Sequence, residues 1–334
     1  MKRKMIAALT AAGLLAGALA GCGPAKAAPV KITATNNGWD SQVIHNTIAE
    51  LVVEHAYEGY TFETSTASSN MNWQALVAGE VDLDIESWTD NVLSYPDDLA
   101  RGDIVNLGVL VPDSRQGLYV PRYVIEGDPE RGIAPMAPGL KTVKDLKNYP
   151  DVFPDDEDPT KGRIYGGTPG YMADEVLYKK YQLYGLDEGF TYTRLGSEAA
   201  IFAALTSAYN LGEPWVGYCY EPTVVTGKLD LVLLEDEPYN EKDYFEGACA
   251  YPAQELKIVR SKGFAEKAPE LVEFFKNYRT GSALISGALA YMDETKASYE
   301  ETAVWLLKEN DDLLDQWLPE KNAAALREYL AKQG

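Results

Sequence analysis

Alternating apolar and polar positions mark short strands in the first third of the chain, and stretches of helical periodicity separate them. Residues 30–35 alternate in the manner of a half-buried strand. Apolar residues then recur at helical spacing across residues 43–56, and either Asp40 or Ser41 can cap the start of that helix. Further strands are predicted at 60–64, 81–85 and 104–111, and a short helix at 73–78. This order predicts an α/β fold with a mostly parallel sheet.

The same pattern restarts near Tyr119. Helices are predicted at 172–184 and from Ser197, and strands at 215–220 and 229–234. The C-terminal part is predicted to be helical at 269–278, at 283–291, after the capping box 298–301 and from Pro319 onward. The 334 residues are enough for two domains of ordinary size.

The N-terminus has the layout of a secretory signal. Residues 2–4 are basic, and the uncharged apolar run 5–20 is shorter than the roughly 20 residues of a membrane-spanning helix. Residues 19–22, Leu-Ala-Gly-Cys, overlap the end of this run and resemble the lipobox of bacterial lipoproteins. The resemblance implies a cleaved signal peptide over 1–21, a lipid on Cys22, a tether over 22–30 and an extracytoplasmic, membrane-anchored protein. An ordinary signal peptide with a chance cysteine is the alternative.

The net charge limits the possible binding partners, and the cysteine content limits the possible disulfides. The formal net charge is -21, and such a surface repels nucleic acid and anionic lipid headgroups, so neither is an expected partner. The chain has three cysteines, of which Cys219 and Cys249 remain when Cys22 carries lipid. In an oxidising compartment these two either form a disulfide or stay as two buried thiols.

The sequence offers little support for catalysis, a metal or a cofactor. The two histidines, His45 and His55, lie ten residues apart on the first predicted helix and cannot form a metal-binding pair on one face. A nucleophile elbow, a phosphate loop and a Cys-x-x-Cys motif are missing from the sequence. The glycine-rich loop 166–170 precedes a predicted helix whose N-terminus can receive an anion, and Thr168 at its centre is a candidate ligand-binding residue.

Aromatic residues are placed differently from the rest of the apolar residues. Trp39, Trp88, Tyr119 and Tyr220 each follow or close a predicted strand, where ligands of open α/β sheets collect. Such rings suit a quaternary ammonium group, which is charged but has no N–H to donate, and each contact contributes about 0.5–2 kcal/mol. The remaining four tryptophans are expected in the core or in helix packing: Trp73, Trp215, Trp305 and Trp317.

Four short motifs in order carry a family resemblance. They are Gly38-Trp39-Asp40-Ser41, Gly79-Glu80-Val81-Asp82 with Glu86-Ser87-Trp88, Gly117-Leu118-Tyr119-Val120-Pro121, and Gly217-Tyr218-Cys219-Tyr220-Glu221-Pro222 with Lys228-Leu229-Asp230. Together they resemble the glycine betaine/choline substrate-binding proteins of ABC importers. The resemblance implies a type II periplasmic-binding-protein fold, with two mixed, mostly parallel sheets flanked by helices around a hinged cleft. It implies lobe I at 31–118 and 236–334 and lobe II at 119–235.

The resemblance also implies a function without catalysis or cofactor. A monomer would capture a quaternary amine in a box that includes Trp39, Trp88, Tyr119 and Tyr220, and would deliver it to an ABC permease with its ATPase. Tyr220 stands where the family often has tryptophan. Thr223 stands where many glycine betaine binders have a histidine, so choline, carnitine and proline betaine stay open as ligands. Asp40 either accepts a ligand hydroxyl or caps its helix.

Two other functions stay open at this point. A binder of an amino acid or small anion would need basic residues at strand ends, where Arg115 and Arg122 are the nearby candidates. A surface enzyme with the same lipid anchor could use Asp84 and Glu86 for acid–base chemistry, although their spacing in a strand is that of a polar face.

Overall fold

The computed structural model describes residues 28–333, and most of the predicted strands and helices are present in it. The strands are β1 (Val30–Asn36), β2 (Tyr60–Thr66), β3 (Leu83–Ser87), β4 (Ile104–Ser114), β5 (Gln116–Pro121), β6 (Gly162–Tyr165), β7 (Phe190–Thr193), β8 (Gly217–Tyr220), β9 (Leu231–Leu233) and β10 (Gln254–Ser261). The predicted signal peptide and Cys22 lie outside the described residues.

Helices cover both faces of the strands. They are α1 (Asp40–Ala56), α2 (Ser69–Ala78), α3 (Tyr95–Arg101), α4 (Arg122–Glu126), α5 (Met172–Leu183), α6 (Glu198–Leu211), α7 (Val224–Lys228), α8 (Glu241–Tyr244), α9 (Phe264–Lys267), α10 (Leu271–Asn277), α11 (Ser282–Thr295), α12 (Tyr299–Glu309), α13 (Asp312–Trp317) and α14 (Glu320–Leu330). Short 3-10 helices lie at Thr89–Asn91, Val143–Asn148, Pro150–Val152 and Leu186–Glu188. None of the helices within residues 28–333 has the length and apolar character needed to cross a membrane.

The strands form two five-stranded mixed sheets of similar design. Their orders are β2-β1-β3-β10-β4 and β7-β6-β8-β5-β9. In the first sheet β10 runs antiparallel to β3 and β4, and in the second β5 runs antiparallel to β8 and β9. The other two neighbour pairs of each sheet are parallel. The two-sheet α/β fold predicted from the sequence is confirmed, but antiparallel pairs are as numerous as parallel ones because each sheet contains a strand contributed by a crossing segment.

The chain crosses from the first sheet to the second at Arg115. β4 ends at Ser114, and β5 pairs with β8 from its first residue, Gln116 opposite Tyr220. The lobe boundary expected between residues 118 and 119 therefore falls inside β5. The return crossing lies between the end of β9 and the start of β10, the segment in which the second expected boundary was placed.

Each sheet has its own hydrophobic core. In the first, α1 is buried along its length, with Ile44, Ile48 and Val52 all 0 % exposed against the sheet and the C-terminal helices. Full burial of each such side chain contributes about 1.5–3 kcal/mol. Among the tryptophans expected in the core, Trp73, Trp215 and Trp317 are buried, and Trp305 is partly buried against the first cluster.

Asp40 and Ser41 do not cap α1, contrary to the prediction. The N-cap residue is Trp39, which makes no side-chain capping bond. Asp40 instead accepts a hydrogen bond from the hydroxyl of Tyr299, and Ser41 donates to Glu86. The backbone N–H of Asp40 donates to the carboxyl group of Glu198, which comes from α6 beside the second sheet, so a distant side chain replaces the local cap.

Cys219 and Cys249 are separate buried thiols, so the disulfide alternative is wrong. Cys219 lies in β8 within the core of the second sheet. Cys249 belongs to a different small cluster with Val176 and Tyr244, and its sulfur accepts a hydrogen bond from the N–H of Asn240. The two thiols are thus held in different packing environments.

Candidate ligand-binding site

Two tryptophans enter the site from the ends of strands in the first sheet. After β1, Asn36 accepts the N–H of Gly38 at 2.9 Å, and Gly38 has a φ of 88°, in the left-handed region that favours glycine. This turn places Trp39 at the start of α1. Trp88 follows β3 directly and precedes a short 3-10 helix. Both side chains thus lie at the carboxyl edge of the sheet.

Three tyrosines come from the second sheet and its helices. Tyr218 and Tyr220 are two residues apart on β8 and therefore share a face of the strand. Tyr171 is the N-cap residue of α5, where the loop before that helix ends. These rings meet Trp39 and Trp88 across the space between the sheets.

The five rings, with Trp73, line one cavity between the two sheets. The complete lining is Asn37, Trp39, Ser69, Trp73, Asp84, Ser87, Trp88, Asn91, Val92, Tyr171, Met172, Ala173, Tyr218 and Tyr220. Within the described residues this lining contains no lysine, arginine or histidine. The wall is therefore aromatic and polar, without a basic group.

The rings form two edge-to-face pairs, each joining the two sheets. Trp39 and Tyr171 have centroids 5.2 Å apart and an interplanar angle of 88°, and Trp88 and Tyr220 are 5.3 Å apart at 87°. Edge-to-face packing sets the positive edge of one ring against the negative face of the next. The pairs pack aromatic rings of the two lobes directly against each other at the cavity.

Hydrogen bonds hold the polar ends of these rings. The Trp88 N–H donates to Oε1 of Glu86 at 3.2 Å, and the Tyr220 hydroxyl donates to Glu198. The hydroxyl of Tyr218 donates to Gln116 at 2.8 Å. The polar ends of these three rings are thus occupied from behind, whereas the buried indole N–H of Trp39 has no hydrogen-bond partner.

Burial shifts the pKa values of the acidic groups around the cavity upward. It raises the pKa of Asp84 to about 6, although hydrogen bonds from Thr35 and Gln42 oppose the change. Burial also raises the pKa of Glu86 and that of Glu198 to about 8 each. Near neutral pH Glu86 and Glu198 are therefore largely protonated and can ionise when a cation binds nearby, whereas Asp84 in the cavity wall is largely ionised.

The comparisons with known proteins agree with this architecture. The sequence model of the substrate-binding domain of ABC-type glycine betaine transport systems matches residues 28–309. The chain belongs to this family. It is a family of solute-binding domains, so the chain is a substrate-binding component of an ABC transport system.

Similar proteins are known at low sequence identity. The glycine betaine-binding periplasmic protein OusX of Dickeya dadantii is 24% identical over 85% of this chain and 89% of its own length. A glycine betaine, L-proline-binding protein (ProX) from Borrelia burgdorferi has a TM-score of 0.70 at 19% identity, covering 89% of this chain and 99% of that one. A choline-binding protein solved in complex with choline has a TM-score of 0.70 at 18% identity, covering 90% and 98%. These structural likenesses confirm the two-lobed fold of this binding protein.

Three of the four predicted ring residues meet at the cavity, and the fourth does not. Trp39, Trp88 and Tyr220 line it. Tyr119 is instead buried in the core of the second sheet, and its hydroxyl donates to Glu221 at 3.1 Å. Tyr119 lies opposite Gly217 in the β5–β8 ladder, so its side chain is on the face opposite that of Tyr218 and Tyr220.

The two predicted polar contacts also lie elsewhere. Asp40 is outside the cavity lining, and its carboxylate accepts from Tyr299. Thr168 is also outside the lining, but its carbonyl accepts the N–H of Tyr171 at 3.0 Å, so its loop positions one of the rings. The predicted role of this loop as an anion site has no support in the lining.

Several lining residues escaped the sequence prediction. Tyr218 could have been found, because a residue two positions from Tyr220 on a strand shares its face. Tyr171 and Trp73 carry no comparable signal: Tyr171 follows a loop of unpredicted path, and Trp73 lies on a short helix typical of core packing. Ser87 belongs to the Glu86-Ser87-Trp88 motif, but only Trp88 of that motif was expected at the ligand.

Proposed function

We propose that this chain captures a quaternary ammonium compound, such as choline or a betaine, between the rings of the cavity. The observation that carries the proposal is a cavity walled by six aromatic rings from both sheets and lacking a basic residue among its described lining. A permanently charged group without N–H donors is held by ring faces rather than by hydrogen bonds. The family membership and the relatives named for glycine betaine or choline support the same ligand class.

The magnitudes are sufficient for useful affinity. Three or four ring contacts at about 0.5–2 kcal/mol each approach the roughly 8 kcal/mol of a micromolar complex. The polar end of the ligand would meet Asn37, Ser87 or Asn91 in the lining.

We further propose that the protein works outside the cytoplasmic membrane as a lipid-anchored monomer. The lipobox ending at Cys22 supports the anchor, and the periplasmic relatives support the location. The bound solute would be handed to an ABC permease driven by its ATPase, as the family description of a transport system favours.

The alternative function, binding of an amino acid or small anion, would need a basic residue at the cavity, and the described lining contains none. Arg115 is largely exposed and lies 3.9 Å from Glu221, and Arg122 pairs with Asp230 and Glu126 at the surface. Both arginines are outside the cavity lining of the described structure.

Calorimetry and tryptophan fluorescence test the proposal with glycine betaine, choline, carnitine and proline betaine on the purified full-length chain. We expect at least one to bind and to raise the melting temperature. Trp88→Ala should weaken that binding at least about tenfold, since one ring contact and its partner Tyr220 are disturbed. Trp305→Ala is the matched control, because Trp305 stacks on Tyr291 far from the lining. Failure of all four compounds to bind would refute the ligand class.

A further inference from the structure

Two rings of the cavity donate hydrogen bonds to buried carboxyl groups, and these carboxyl groups are not part of the cavity lining. The Trp88 indole donates to Glu86 of β3, and the Tyr220 hydroxyl donates to Glu198 in the first turn of α6. Glu86 is 0 % and Glu198 6 % exposed. Each carboxyl group therefore holds one ring of the Trp88–Tyr220 pair from behind, one on each side of the cavity.

Glu86 has no positive partner in the described structure. Its Oε1 accepts from Ser41 at 2.9 Å and from Trp88, while its buried Oε2 has no hydrogen-bond partner. His45 is the nearest basic group, with Nε2 at 3.8 Å from Oε2. Burial lowers the pKa of His45 to about 3, so its imidazole is neutral at ordinary pH.

Glu198 is similarly placed between neutral donors. Apart from Tyr220, its carboxyl group accepts the backbone N–H of Asp40 at 3.3 Å. None of the ion pairs found among residues 28–333 involves Glu198. An ionised buried carboxylate without a paired cation is costly, so a cation arriving in the cavity would supply the missing charge for both groups.

We propose that Glu86 and Glu198 determine the charge specificity of the cavity, placing negative charge behind Trp88 and Tyr220 and so selecting ligands of net positive charge over zwitterions. This inference rests on the proposed function of the aromatic cavity. A carboxylate that accepts the polar hydrogen of a ring pushes electron density toward the ring face, which strengthens its attraction for a cation.

The same arrangement disfavours the anionic end of a zwitterion. A betaine carboxylate would enter a lining without lysine, arginine or histidine among its described residues, and with Asp84 already present in the wall. Choline carries the same trimethylammonium head but ends in a neutral hydroxyl. That hydroxyl can be met by neutral groups such as Ser87 or Asn91.

The test compares affinities for choline, glycine betaine and tetramethylammonium by calorimetry on the purified full-length chain. For the wild type we expect choline to bind at least about tenfold more tightly than glycine betaine. Glu86→Gln and Glu198→Gln should each reduce that ratio at least about threefold, because the amide keeps the shape and an acceptor oxygen but removes the charge. A purely structural role would weaken both ligands equally and leave the ratio unchanged.

Glu221→Gln is the matched control. Glu221 also accepts a hydrogen bond from a tyrosine, Tyr119, but outside the cavity, so its variant should keep the wild-type ratio. If the glutamine variants do not fold, the wild-type ratio measured from about pH 9 down to about pH 5 serves instead, and it should fall as the two groups take up protons.

The outcomes separate the two proposals. Tighter binding of glycine betaine than of choline, or a ratio that neither the variants nor pH can change, overturns the specificity role and leaves the proposed function standing. Binding of none of the three compounds refutes the proposed function and this inference together.

Discussion

At the scale of single residues, the face of a strand decides which aromatic side chains can meet a ligand. Tyr119, Tyr218 and Tyr220 lie on neighbouring strands, and of these Tyr119 and Tyr220 were predicted at a strand end. Only Tyr218 and Tyr220 share the face that borders the cavity, because the ladder sets Tyr119 opposite Gly217. Position at a strand end placed three of the four predicted rings at the cavity, whereas the face of Tyr119 required the register of β5 against β8.

This difference can be tested with two tyrosine variants. Tyr220→Phe leaves Glu198 without its hydroxyl donor and frees the ring, so quaternary ammonium affinity should fall about threefold to tenfold. Tyr119→Phe removes only the bond to Glu221 and should leave affinity unchanged while stability falls by about 1 kcal/mol. Calorimetry and urea unfolding measure the two effects. An equal loss of affinity in both variants would contradict the assignment by face.

The buried acids predict a pH dependence of ligand binding. Their raised pKa values mean that the empty folded protein holds extra protons between about pH 4.5 and about pH 8, so its stability falls as pH rises through that window. A bound cation favours the ionised forms and releases those protons. Affinity for choline should therefore rise, by about tenfold for a shift of one pKa unit, up to about pH 8 and then level off.

Other ionisable groups near these two acids do not change that sign. Those that face or influence Glu86 and Glu198 are Asp40, His45, Asp84, Tyr171, Tyr218, Cys219, Tyr220, Tyr278 and Tyr299. His45 stays neutral, and burial keeps the tyrosines and the thiol protonated. Calorimetry in buffers of different ionisation enthalpy measures the proton release, and the double variant Glu86→Gln/Glu198→Gln should show almost none. A flat profile in the wild type would rule out the coupling.

At the scale of secondary structure, periodicity predicted the strands and helices that carry a clear apolar pattern in their own sequence. It missed strands whose burial depends on the two strands beside them in the sheet. β1, β2, β4 and α5 were predicted within a few residues of their actual ends. β10 was not predicted, although it lies between β3 and β4 in the first sheet. Its burial pattern is set by strands more than a hundred residues earlier, which single-segment reading cannot supply.

Thr223 has a structural role at the start of a helix in this chain. Its hydroxyl accepts the N–H of Thr226 at 3.1 Å and caps α7. Thr223→Ala should cost about 1 kcal/mol and lower the melting temperature by about 2 °C without changing ligand affinity. Thr223→Ser, which keeps the hydroxyl, should restore most of the stability. A loss of betaine affinity at constant melting temperature would instead place Thr223 at the ligand.

At the scale of the whole molecule, the site exists only because the two sheets face each other. The rings of both edge-to-face pairs come from opposite sheets, and Glu198 reaches from α6 to the first residue of α1. Composition, the four motifs and the strand–helix order were enough to predict two lobes and part of the ring set. The contributions of Tyr171 and Glu198 depend on how the lobes dock, and no local pattern encodes that docking.

Contacts at the mouth of the cavity should set how long a ligand stays bound. The side-chain amide of Asn70 on α2 donates to Glu175 on α5 at 2.6 Å, joining one element of each lobe beside the lining residues Ser69 and Met172. Removing this bond favours separation of the lobes, and affinity falls in proportion to the fraction of closed protein. Asn70→Ala should therefore raise the dissociation rate about fivefold with little change in the association rate, as measured by stopped-flow tryptophan fluorescence. Lys31→Ala, which breaks a surface ion pair with Glu63 within the first sheet, is the control and should leave both rates unchanged. A slower association at a constant dissociation rate would show that these contacts limit entry rather than retention.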